Sequence, residues 1–94
     1  MLKNEFTLID GTFTGSETNE LLSTLFMDKL RFHNIKNLSH LERFGKPDVQ
    51  AEKRIQGLEE TLEQVLKFLR NYDQEKEFEI LADIKIKPLN NPEL

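Results

Sequence analysis

Residues 55–72, IQGLEETLEQVLKFLRNY, and residues 77–86, EFEILADIKI, decide how this chain folds. In the first stretch Ile55, Leu58, Leu62, Val65, Leu66, Leu69 and Tyr72 recur every three or four positions. In the second, Phe78, Ile80, Ala82, Ile84 and Ile86 recur every second position. A helix turns by about 100° per residue and a strand by about 180°, so each stretch gathers its apolar groups on one face. The reading is a long amphipathic helix followed by a strand, each with a face to bury. Asp48, just behind Pro47, is placed to cap that helix, which runs to about Asn71. Phe68 and Leu81 fall off their apolar faces and become the candidate interface residues.

Upstream, Glu5 to Phe13 reads as a strand rich in residues that favour a pleated surface. A regular pleat puts Phe6 and Leu8 on one face and Ile9, Gly11 and Phe13 on the other, which points to a strand covered on two sides or to a register change at Gly11, where Asp10-Gly11 suggests a bulge or bend. Thr14-Gly15-Ser16-Glu17 fits a capping box, with Thr14 accepting from the third N–H and Glu17 reaching back. Leu21, Leu22, Leu25, Phe26 and Leu30 then form a helical stripe, and a helix is expected from about Gly15 to Lys29.

Residues 30–38 fit two periods. As a helix they carry Lys29 and Lys36 into the apolar face and include Asn34 and Asn37, both poor helix formers. As a strand they align Leu30, Phe32, Lys36 and Leu38, and a short strand is expected. Ser39-His40-Leu41-Glu42 resembles a second capping box, opening a helical turn that Gly45 and Pro47 end. The fold class is therefore α/β (α+β), a two-layer sandwich of strand, helix, (strand), helix, strand, with two helices on one face of a small sheet. Residues 1–87 form one domain and 88–94 a flexible tail. The alternative keeps only two strands around a helical hairpin; such a sheet is marginal alone and calls for pairing between subunits.

Composition sets the outer limits. The 94 residues carry no cysteine, which excludes disulfides, thiolate zinc sites and cysteine nucleophiles and suits a reducing cytoplasm. No apolar run approaches the roughly 20 residues that span a membrane, and no signal peptide is expected at the start. The net charge of −4 is unevenly spread. Residues 1–28 and 47–94 each sum to −4, whereas Lys29, Arg31, Lys36, Arg43 and Lys46 against Glu42 make 29–46 a +4 segment.

That segment, with His33, defines the candidate anion-binding residues: Lys29, Arg31, His33, Lys36, Arg43 and Lys46. Phe32 and Phe44 interleave with the cations, as stacking sites for single-stranded nucleic acid do. The acidic flanks and a pI of 5.2 argue against it. His33 and His40 lack further ligands for a metal, and the neighbouring cations repel one. His33 as a general acid or base needs a partner such as Asp10, Asp28 or Glu42. Asp10-Gly11 with Thr12, Thr14 and Ser16 lacks the spacing of a phosphate loop. No cofactor is expected. The leading expectation is a small non-enzymatic module for protein interaction or homo-oligomerisation, as a homodimer. Polyanion or nucleic-acid binding through 29–46 comes second, and an enzyme using His33 third.

Overall fold

The computed structural model describes residues 3–89. Two helices pack with a two-stranded antiparallel sheet in the order β1 (Glu5–Thr14), α1 (Gly15–Phe44), α2 (Val49–Leu69), β2 (Glu77–Lys85). The tail expected at 88–94 lies, beyond Leu89, outside the described residues.

The ladder explains why β1 looked apolar on both sides. Phe6 pairs with Ile84, Ile9 with Ala82, Gly11 with Ile80 and Phe13 with Phe78, and the register shifts between Thr7 and Ile9. The extra residue is Leu8, so the bulge sits there and not at Asp10-Gly11. One extra residue moves everything beyond it to the other face. Phe6, Ile9 and Phe13 thereby join Phe78, Ile80, Ala82 and Ile84 on one side of the ribbon. The facing of β2 is as the alternation predicts, but its depth is less. Phe78, Ile80 and Ala82 are half-buried, whereas Ile84 is 42% exposed and Ile86, past the strand end, 59% exposed.

Thr14 and Glu17 form the capping box, with N–H to oxygen distances of 2.9 and 3.1 Å. From there α1 runs unbroken for 30 residues to Phe44, which corrects two expectations. Residues 30–38 are helix rather than strand, and Ser39 opens no second helix. The reason lies in the seam with α2. Helical spacing puts His33, Asn37 and His40 on one face, where the polar groups close the hairpin. Asn37 Oδ1 accepts the Asp48 N–H at 2.7 Å, and His40 Nδ1 lies 2.9 Å from the Lys46 carbonyl. Gly45, at φ 72°, makes the left-handed stop, and its N–H donates to Leu41 O. Asp48 caps α2 through the N–H groups of Gln50 and Ala51.

The base of the hairpin closes on the turn before β2. Gly15 N–H donates to Lys76 O at 2.7 Å and Ser16 N–H to Gln74 O at 3.0 Å. A Cβ at Gly15 would stand 3.1 Å from Asp73 O and 3.3 Å from Gln74 O. Only glycine lets the two backbones approach so closely.

Apolar burial is shallow. Among the described residues Ile9, Ala51 and Leu58 are the buried hydrophobic residues, with Thr18 beside them, and no large side chain is fully enclosed. The molecule measures 50 × 40 × 15 Å, with a radius of gyration of 17.2 Å. A compact chain of this length has about 12 Å. Its accessible surface is 8148 Å², where a chain of 11.1 kDa folded as a monomer shows about 5,700 Å².

The two inner glycines give opposite expectations. Gly15→Ala should destabilise by about 1–3 kcal/mol, because the carbonyls it meets are held by hydrogen bonds. Gly57, inside α2 with open space around it, should gain about 1 kcal/mol as Ala. Urea titrations at one protein concentration check both signs.

Candidate functional site

The continuous helix sorts the basic segment. At seven-residue spacing Lys29, Lys36 and Arg43 share one side of α1, close to His33. Arg31 lies on the far side, 3.5 Å from Asp28 in an exposed ion pair. Lys46 sits in the turn between the helices and takes part through its carbonyl. Lys29 reaches over the Phe32 ring at 5.6 Å. The candidate residues therefore do not converge as a set. What converges is His33, Lys36 and, from α2, Arg54, around a small cleft with Asp48, Gln50 and Ala51. Arg54 is absent from the sequence-based set because it lies outside the basic segment. The signal was its place one turn beyond Ala51 on a helix already read correctly.

The chemistry of this cleft is constrained on both sides. The first free N–H groups of α2 would attract an anion, but the Asp48 carboxylate already holds those of Gln50 and Ala51 at 3.0 and 3.3 Å. His33 Nε2 is shielded from solvent without a hydrogen-bond partner, and the Phe32 ring stands edge-on to the imidazole at 5.3 Å. Desolvation lowers the His33 pKa below 6.5, and the cations Lys29, Arg54 and Lys36 lower it further. The three acids that could partner it are elsewhere: Asp28 pairs with Arg31, Asp10 lies on β1 opposite Leu81, and Glu42, nine residues along α1, falls on the opposite side of the helix. Among the described residues no three acidic or histidine side chains are grouped to hold a metal.

The apolar surface is more extensive. Phe68 is 53% exposed yet packs beside Tyr72 and Phe78, with ring centroids 5.4 and 6.4 Å away. It roofs a groove that Thr18, Leu22, Val65 and Ile80 also line. Leu81 is 65% exposed on the other face of the ribbon, so the two candidate interface residues lie on different surfaces. The larger feature is α1 itself. Met27, Phe32, Ile35, Leu38, Leu41 and Phe44 are all exposed along its outer half. Reading 30–38 as a strand concealed them, since only an unbroken helical wheel places Met27, Phe32, Ile35, Leu38 and Leu41 outside the seam with α2; Phe44 lies against His40, with ring centroids 4.6 Å apart.

Among the described residues no helix is long and apolar enough to cross a membrane. The chain matches no protein-family model, no curated protein and no solved structure.

The His33 environment fixes a pH dependence. Its folded pKa lies below the unfolded value of 6.5, so above 6.5 the folded state keeps the full benefit of a neutral imidazole. That contribution is lost as pH falls through the folded pKa, because the unfolded chain binds the proton more readily. Urea midpoints should drop between pH 7.5 and the mildly acidic range, and His33→Gln should lessen the drop.

Proposed function

We propose that this chain is a non-enzymatic homo-oligomerisation module whose core is completed by a second copy of itself. The observation that carries this reading is the surface a monomer leaves open. The accessible area exceeds that of a typical monomer of this mass by roughly 2,400 Å², and a standard interface covers about 800 Å² on each partner. A two-stranded sheet is marginal alone, and here most of its apolar face is half-covered at best. Symmetric pairs are the commonest soluble oligomers. The reading needs no cofactor and suits the cytoplasm, where a cysteine-free chain gives up no stabilising disulfide.

Light scattering should return twice the chain mass of 11.1 kDa at micromolar concentration. The thermal midpoint should rise on dilution series toward higher concentration, since each tenfold step adds about 1.4 kcal/mol to the folded dimer. A cooperative transition independent of concentration, with monomer mass, would contradict the reading.

A second reading rests on the convergence of Lys36 and Arg54 at His33, with Lys29 and Arg43 along the same helix. These groups form a basic face fit for a polyanion. Binding of this kind weakens steeply with salt, because counterions are released. Under it, heparin retention should fall when Lys29, Lys36 and Arg54 become Gln, with dimer mass unchanged. No retention by the unaltered chain at low salt would remove it.

A further inference from the structure

The exposed stripe of α1 has a symmetry of its own. Met27, Leu30, Asn34, Leu38 and Leu41 are separated by three, four, four and three positions, so their spacing reads alike in both directions about Asn34. At about 100° per residue these five positions fall within an arc of about 80°. Met27 is 62% exposed, Leu38 54% and Leu41 43%, Asn34 is exposed with them, and Leu30 is half-buried. The centre of the arc stands about a quarter-turn from His33, Asn37 and His40, which form the seam with α2, and Leu30, seven positions from Asn37, marks the border between the two. The arc is turned away from Thr18 and Leu22, which face the groove toward the sheet.

We propose that this stripe is the dimer contact, with α1 packing antiparallel against α1 of a second copy across a two-fold axis at Asn34. The inference rests on the reading above and names its geometry. In a two-fold interface, if one residue meets a second, that second must meet the first on the other side. The spacing satisfies this: Met27 meets Leu41, Leu30 meets Leu38, and Asn34 meets its own counterpart. The two amides can hydrogen-bond to each other on the axis. A single polar residue in an apolar helical seam sets register and partner number at some cost in stability.

Charges are compatible with this register. Counting outward from Asn34, Arg31 falls opposite Asn37, Lys29 opposite Ser39, Lys36 opposite Phe32 and Glu42 opposite Phe26. No two like charges are set against each other, an arrangement that would cost affinity. Apart from Leu30 at its border with the seam, the stripe is left open by α2 and the sheet. The chain's excess surface, roughly 2,400 Å² over a typical monomer, is larger than such a contact requires.

Introduced cysteines test the arrangement cleanly, because the chain has none of its own. A disulfide needs Cα atoms within about 7 Å. Asn34→Cys places two thiols on the axis and should convert most of the 94-residue chain to a covalent dimer under mild oxidation. Met27→Cys puts them about 21 Å apart, seven residues of helix on each side of the axis, and should not. The double variant Met27→Cys/Leu41→Cys should cross-link again, since each cysteine then meets its opposite. Leu38→Glu should lower the mass from dimer to monomer at the same concentration, read by light scattering beside circular dichroism. Cross-linking of Met27→Cys as fast as Asn34→Cys, or a dimer undisturbed by Leu38→Glu, would overturn the arrangement while leaving the dimer intact. Monomer mass for the unaltered chain would overturn both.

Discussion

An α-helix with apolar side chains around most of its circumference must be covered from more than one side. Helix α1 is in that position, and the rest of the fold follows from how much of it the chain can cover alone. Helix α2 takes one side through Ala51, Ile55 and Leu58. The root of the sheet takes part of another, near Thr18 and Leu22. The outer side, from Met27 to Leu41, is left to water. Among the described residues no further element covers that side, and small domains bury only a modest fraction of their surface.

The joints of the fold are polar and tight, in contrast to its open faces. Gly15 sits against the turn at residues 73–76, where a methyl group would press on two carbonyls. Asn37 and His40 fasten the helical turn by binding the Asp48 N–H and the Lys46 carbonyl. Such bonds fix direction more than they add stability, since each exchanges a partner in water for one in the protein. They hold the hairpin and ribbon in one arrangement, leaving the apolar faces free to meet something else. His33 is the exception, a shielded nitrogen without a partner among cations. That site favours the neutral ring whatever its further role.

Much of this was legible in the sequence, and the failures have physical causes. The change of period around Glu75 gave α2 and β2, and the Thr14–Glu17 box gave the start of α1 to the residue. The Leu8 bulge was missed because both faces of β1 are apolar, so alternation alone does not show where the register slips. Residues 30–38 misled for a related reason. With apolar groups on several sides and Asn and His in the seam, the stretch fits neither period cleanly. The same ambiguity hid the outer stripe of α1, which exists only if the helix continues. Arg54 does not stand out in a charge sum along the chain, because it is the hairpin that brings it across the seam to Lys36 and His33.

The central claim is that α1 depends on cover from outside the chain. Amide hydrogen exchange along α1, followed over a hundredfold range of protein concentration, tests it most directly, since protection reports local opening. The account predicts that amides from Met27 to Leu41 become better protected as concentration rises. Protection of that stretch unchanged by concentration, in a chain that stays monomeric throughout, would contradict it.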